Sequence, residues 1–335
     1  MDPQHRIFEI IKRQIQGEDS IGNVVGNVLS ISQDAVYRRF RGETQLTILE
    51  LKKLCKHFNI SLDTLFEINK NKVIFEFQPL DEFDFSMDLY LRSMNQALSD
   101  ISAHKNPKLT ILINNSPIMQ LLNYPHLVRF KLFFWAKNYL QLEEYKNQKF
   151  KYDKISSESF NIGYESLKMY NAIPSKEIYD VELLGGFARE IFYYYEAEQF
   201  EDSNYAIYML ELLNRFVDHL KAQAAAGKKF VSTLEAPAIG NDFEMYLNET
   251  LNGNTTIVYE AQDFEGVYIG HNLLNSVHTT DRAYVQDTIS TIDKQMSNSS
   301  IISVVNEKQR NSFFAQIKRR IDTYKKKIEI DLEME

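Results

Sequence analysis

The 335-residue sequence is 44% hydrophobic and 25% charged, an ordinary globular composition, and its length suits two or three units. With 12 Gly and 7 Pro, collagen-like and proline-rich disordered chains are excluded, and the single cysteine, Cys55, excludes an internal disulfide and fits a reducing compartment. No apolar run approaches the roughly 18 residues of a membrane span, and the opening MDPQHRIFEIIKRQ lacks the apolar core of a signal peptide. The expectation is a cytoplasmic protein with no membrane partner. The net charge of −8 is unevenly spread: residues 1–72 hold 11 Lys/Arg and 9 Asp/Glu, and the remainder holds 27 and 37. A near-neutral to basic head on an acidic body suits a small DNA-reading module joined to a larger effector.

Five short helical patterns fill residues 1–68. Ile7, Ile11 and Ile15 share one helical face, with Phe8 and Ile10 beside them. Ser20 is placed to cap a second helix that buries Val24, Val25, Val28 and Leu29. Ser30-Ile31-Ser32 then makes a turn whose one apolar residue plugs the angle between two helices. Ser32 is an N-cap for a third helix, Gln33 to Arg41, which Gly42 closes. Only Val36 and Phe40 anchor that helix, so Gln33, Asp34, Tyr37, Arg38 and Arg41 are left on its outer face. Thr47 to Glu50 reads as a capping box for a fourth helix burying Leu51, Leu54, Cys55 and Phe58, and Ser61 opens a fifth turn with Leu62, Leu65 and Phe66. At its buried spacing Cys55 reads as a small core residue.

The stretch VVGNVLSISQDAVYRRFRGETQLTILELKKLCKHFNISLDTLF, Val24 to Phe66, resembles the helix-turn-helix of lambda-repressor and Cro-like (XRE-type) regulators, and Tyr37 to Glu43 is similar to the head of Bacteroidetes-type members. The resemblance implies an all-α, five-helix DNA-binding head. It places Gln33, Asp34 and Arg38 where the family reads bases, and Ser32, Arg41 and Thr44 near phosphates. This sequence departs from the family at Ser30, where a turn glycine is usual, at Phe40, where an acidic residue is common, and at Arg39, where an apolar one is frequent. Arg39 is the replacement base reader if the helix is rotated. Chemically, Arg38 can pair bidentately with guanine and Gln33 with adenine. Asp34 favours the helix N-terminus or accepts from a cytosine amine, and Tyr37 can donate to a phosphate or touch a thymine methyl.

A polar hinge is read at Lys70-Asn71-Lys72 within a linker of residues 69–86, whose stretch VIFEFQPLDEFDF alternates as a strand or an extended linker does. The body, 87–335, is predicted to be mostly helical with a mixed β-sheet, making the whole chain α+β. Its helices are expected over Met87 to His104, Leu127 to Leu142, Ser157 to Tyr170, Tyr179 to Ala197, Asn204 to Gln223, Asp281 to Met296 and from Asn306 onward. Strands are expected at Lys108–Ile113, Glu244–Asn248, Thr256–Ala261, Gly266–Gly270 and Ser299–Val305. A sub-boundary is read near residues 225–242, where small residues, Gly and Pro gather.

No phosphate-binding glycine loop, nucleophile elbow or zinc-protease motif occurs, and one cysteine excludes a thiolate zinc site. His219-Leu220-Lys221 starts a phospholipase D-like signature that lacks its acidic residue. His271 and His278 can approach across short strands, and read more simply as packed histidines. The Phe133–Trp135 and Tyr193–Tyr195 clusters read first as core and second as pocket lining. The reading is a transcriptional regulator, non-enzymatic and without metal or cofactor. It binds double-stranded DNA as a homodimer and uses its body to sense a small-molecule effector or mediate assembly. The alternative is a body that binds another protein, as in a phage switch or an antitoxin. Dimerisation is assigned to the body, chiefly to the last helix's stripe of Phe313, Ile317, Ile321, Tyr324 and Ile328, because the head has little spare apolar surface. That helix's basic face is expected to dock on the acidic body.

Overall fold

The computed structural model describes residues 2–15, 20–66, 72–77, 86–152, 155–232, 239–251, 253–262, 264–272 and 275–334. The Lys70-Asn71 hinge, most of residues 67–85 and the turn residues Asn252 and Asp263 lie outside them. The chain forms two compact units, Met1–Ile74 and Phe75–Glu335.

The first unit holds α1 (Pro3–Gln14), α2 (Ile21–Leu29), α3 (Gln33–Phe40), α4 (Ile48–His57) and α5 (Leu62–Phe66). Its core is Ile7, Phe8, Ile11, Val25, Leu29, Val36, Leu54, Ile60 and Leu65, with Ile31, Phe40 and Cys55 packed against it. The helix starts are fixed by side chains. Ser20 Oγ accepts from the Asn23 amide (3.2 Å), Ser32 Oγ accepts from the Ala35 amide (3.3 Å), and Thr47 and Glu50 form a reciprocal capping box. Between α2 and α3 the chain turns through Ser30 in the left-handed region (φ 58°), and the Ile31 amide donates to the Gly26 carbonyl. The turn is tight enough that a Cβ at Gly26 would lie 3.0 Å from the Ile31 oxygen.

The second unit runs β1 (Glu76–Phe77), α6 (Met87–Ser102), β2 (Lys108–Ile113), α7 (Ile118–Leu121), α8 (Pro125–Asn138), α9 (Glu143–Lys146), α10 (Ser157–Ala172), β3 (Ser175–Asp180), α11 (Gly185–Glu196) and α12 (Asn204–Ala226). It continues with β4 (Lys228–Phe230), β5 (Ile239–Asn248), β6 (Thr256–Glu260), β7 (Glu265–His271), β8 (Asn275–Thr279), α13 (Arg282–Ser297), β9 (Ser300–Ile301) and α14 (Glu307–Met334). The fold is α+β. One mixed sheet is ordered β1-β8-β7-β6-β2-β3-β5-β4, with β9 also on β5; β2–β3 and β3–β5 are parallel and the other pairs antiparallel.

Alternate strand residues feed two apolar clusters. Leu109, Ile111, Ile113, Tyr179, Phe243, Met245 and Leu247 join the large helical core, whereas Ile178, Val258 and Val267 meet Val285 and Ile292 of α13. The interior position of β2 explains its nearly unbroken apolar run.

Several sequence expectations are corrected. Residues 179–184 are not helical: Tyr179 and Asp180 end the central strand β3, and α11 starts at Gly185. The Leu127–Leu142 helix ends at Asn138, the Ser299–Val305 strand shrinks to Ser300–Ile301, and β8 was not foreseen. Asn306 precedes α14, but its side-chain amide donates to the Ile301 carbonyl (2.7 Å). Residues 76–77, where the sequence leaves a strand or an extended linker open, form a strand on β8, and described residues of the 225–242 stretch form β4 and the start of β5. The stripe Phe313, Ile317, Ile321 and Ile328 is buried in the body's own core, so it is not an available dimer surface. Conversely, the head does carry spare apolar surface, at Ile48, Leu49, Leu62 and Phe66.

Candidate nucleic-acid interface

In α3, Gln33, Asp34, Tyr37, Arg38 and Arg41 follow helical spacing around the side away from buried Val36. Gln33, Asp34, Arg38 and Arg41 are exposed, and Tyr37 and Thr44 are half-buried. Each has a distinct local fit. The Ser32 hydroxyl is exposed while capping α3. The Gln33 amide donates to Asn23 Oδ1 on α2. Asp34 sits in the first turn of α3, where a carboxylate complements the helix dipole. Tyr37 lies over Gly22, where an added Cβ would come within 2.8 Å of its ring, so glycine there lets the two helices close. Thr44 donates its amide to the Arg38 carbonyl (3.3 Å), and its own carbonyl accepts from Gln4.

The three arginines differ. The side chains of Arg38 and Arg41 are 55% and 52% exposed, against 15% for Arg39. Arg39 donates to Glu50 Oε1 (2.8 Å) and to the Ala35 carbonyl (3.1 Å), tying α3 to α4. It is therefore a tie between two helices and the least exposed of the three. Arg41 grips Glu43 through Nε (2.6 Å) and a second nitrogen (3.3 Å), which holds the Glu43 carboxyl below its usual range. Gln4, buried on α1, was not foreseen. Its amide nitrogen donates to the Arg39 and Thr44 carbonyls (2.8 Å each), and its oxygen accepts from the Leu46 amide (2.7 Å). That clamp fixes the loop after α3. Burial pushes the Cys55 thiol up, against a reactive thiolate.

The body's candidates separate. The register pairs His278 with Tyr268 and His271 with Asn275, so the two histidines are not brought together as a pair. His278 stacks on Tyr268 (4.3 Å) and lies 2.9 Å from the Tyr259 hydroxyl and 3.3 Å from Glu76. His271 instead meets the Phe77 ring. Among the described residues no group of three or more His, Cys, Asp or Glu is arranged to hold a metal. Phe133, Phe134, Trp135 and Tyr194 are core, and Tyr193 is exposed. The basic face of α14 docks on the body through Lys318–Asp218, Arg320–Glu182 and Lys325–Glu211.

Two features of the body were not legible in the sequence. Fully buried Glu177 accepts from the hydroxyls of Tyr170, Ser175 (2.8 Å) and Tyr179 (2.6 Å). Lys229, also buried, donates to the carbonyls of Tyr170 (2.7 Å) and Ile173 and lies over the Tyr170 ring. Burial pushes its pKa down to about 7. The second feature is an apolar cavity of about 210 Å³ between α6, α8 and α10, lined by Leu91, Leu122, Val128, Gly163, Leu167 and Val231, with Phe160 and Tyr164 at its edge. Its Asn123 and Ser159 are already hydrogen-bonded within the protein.

The chain matches no protein-family model, no curated protein and no solved structure. No helix among the described residues is long and apolar enough to cross a membrane.

Proposed function

We propose that the chain is a sequence-specific, helix-turn-helix DNA-binding transcriptional regulator of the XRE type. It acts in the cytoplasm as a homodimer and carries a non-enzymatic body for ligand sensing or assembly. The observation that carries this reading is α3: a short helix, capped by Ser32 and anchored by Val36 and Phe40, that leaves Gln33, Asp34, Arg38 and Arg41 in solvent. Such a helix fits the major groove with its first residues at base edges and its flanks at phosphates. One helix of eight residues makes few base contacts, so two half-sites roughly 34–36 Å apart are needed for useful affinity. The body's cavity suits a small apolar effector.

The test is selection of duplexes from a random library by the full chain, followed by anisotropy across salt concentrations. Binding weakens steeply with salt as phosphate contacts release counterions. Arg38→Ala relaxes preference at about one base pair, with a cost of roughly 1–3 kcal/mol, whereas Arg41→Ala weakens all sequences alike. A folded chain that enriches no sequence and binds no duplex refutes the reading. A second reading for the body, docking of another protein, is favoured by the exposed, stacked Phe160 and Tyr164 on α10. Loss of a co-purifying partner on Phe160→Glu, with DNA binding intact, would support it.

A further inference from the structure

We infer that Glu43 is a specificity-determining residue of the DNA-binding face: its carboxylate occupies Arg41 and screens Arg38, suppressing indiscriminate binding to phosphate. This rests on the DNA-binding reading and adds a residue to which the family resemblance gives no role.

The placement is imposed by the backbone. Gly42, at φ +76°, turns the chain back over the end of α3, and the Glu43 amide donates to the Arg38 carbonyl (2.9 Å). Gln4 clamps the following residues by bonding the Thr44 carbonyl and the Leu46 amide. The Glu43 carboxylate is thereby held against Arg41, which donates to both its oxygens, with Arg38 Nε 3.8 Å from Oε2, the oxygen that also accepts from the second Arg41 nitrogen.

The charges of the segment make the consequence sharp. Residues 32–50 contain three arginines, Arg38, Arg39 and Arg41, and three acids, Asp34, Glu43 and Glu50. Arg39 is taken by Glu50, so Arg38 and Arg41 carry the cationic character of the exposed face; Asp34 and Glu43 oppose those two charges, and Glu43 is the one bonded to Arg41. Phosphate must displace Glu43 to gain Arg41, and a carboxylate next to the duplex repels the backbone. Both effects penalise sequence-independent binding. On a mixed duplex Arg38 has no base partner, so both Arg38 and Arg41 turn to phosphate and both meet Glu43; at a correct site Arg38 is committed to a base edge and only Arg41 meets it, so the ratio of specific to non-specific affinity rises.

The experiment uses the full chain and two probes: a mixed-sequence 20-base-pair duplex and the duplex enriched by selection. Glu43→Gln is expected to bind the mixed duplex about threefold to tenfold tighter. The magnitude of its salt slope grows by about 0.9, one extra phosphate contact. The gain on the enriched duplex is smaller. Glu9→Gln, the same charge change on α1, controls for net charge. Arg41→Gln in the Glu43→Gln background should abolish most of the gain, a coupling that a simple stability change would not produce. Equal behaviour of Glu43→Gln and Glu9→Gln overturns the inference, as does weaker binding by Glu43→Gln, which would make Glu43 itself a contact. In both cases the wild type still binds, so the DNA-binding reading survives. Failure of wild type and Glu43→Gln alike to bind any duplex removes both.

Discussion

The head and the body place their polar groups in opposite ways. In the head the polar anchors are Ser20, Ser32, Thr47 and Gln4, at helix ends and turns, around a small purely apolar core. In the body, ionisable groups lie inside: Glu177 in its hydroxyl cage, Lys229 under the Tyr170 ring, the Lys131–Glu190 pair (2.5 Å), and His219. The head's helix starts are held by short-range caps, each worth about 1 kcal/mol. The body depends on long-range contacts, and burial lowers the pKa of two of its ionisable groups, Lys229 and His219. The difference teaches where the protein is sensitive to its conditions: the body responds to pH through buried Lys229 and His219, and the α2–α3 turn responds to turn chemistry.

The largest expected effect is at Glu177. Leucine there leaves the hydroxyls of Tyr170, Ser175 and Tyr179 buried without their acceptor, and the loss is about 3–5 kcal/mol. Trp135 is the chain's only tryptophan and lies in the body core, so urea unfolding followed by its fluorescence reads the body alone. Glu177→Gln keeps an acceptor and should lose less. A loss below about 1 kcal/mol for leucine would mean that packing, and not the cage, holds β3.

Next in size is the pH response. Burial lowers Lys229 from its ordinary 10.5 to about 7 and His219 from 6.5 to about 4. In each case the unfolded chain holds the proton more tightly, so stability rises with pH between the folded and unfolded values. Lys229 contributes a rise of about 2–3 kcal/mol from pH 7 to pH 9, and His219 a comparable fall as pH drops from 6.5 to 4. The Trp135 transition of wild type against Lys229→Met and His219→Gln isolates each part. In the head, burial pushes Glu50 up, but hydrogen bonds from Thr47 and Arg39 outweigh it and the net shift is downward. Its contribution is present at neutral pH and is lost as pH falls through the folded value. A wild-type slope identical to that of Lys229→Met would break the contrast.

In the head a smaller effect is set at Thr47. Alanine removes the acceptor for the Glu50 amide and half of the capping box, and should cost about 1 kcal/mol. Hydrogen exchange of α4 amides would report it, while the Trp135 transition stays in place.

The same contrast explains what the sequence made legible. Caps at Ser20, Ser32 and Thr47 are readable because cap and amide are three residues apart. The outward set of α3 follows from its 3.6-residue period. The Arg39–Glu50 tie and the Gln4 clamp span 11 and about 40 residues, and no local pattern announces them. In the body β2 is legible from its unbroken apolar run. β3 is not, because Glu177 interrupts its pattern and its parallel partners lie far away in sequence. β4 and the start of β5 resemble a linker because Gly227, Gly240 and small residues surround them. Gly240 has a packing reason: a Cβ there would sit 2.6 Å from the Asn171 carbonyl. The stripe of α14 was visible, but a stripe does not state whether its cover is α12 of the same chain or a second copy.

The smallest effect is also the sharpest probe of the head's local rules. Ser30 holds φ 58° in the turn between α2 and α3, a region that disfavours residues with a Cβ by about 1 kcal/mol. Ser30→Gly relieves that strain and at the same time adds freedom to the unfolded chain, so the two effects oppose. The αL penalty is the larger where the turn is otherwise fixed, and here Ile31 N–H to Gly26 O (3.0 Å) fixes it. The expected net result is a head stabilised by up to about 0.5 kcal/mol, read as slower exchange of α2 and α3 amides. The Trp135 transition should not move. Destabilisation instead would show that the Ser30 side chain contributes to the turn, and that the departure from glycine at this position is a gain for the fold.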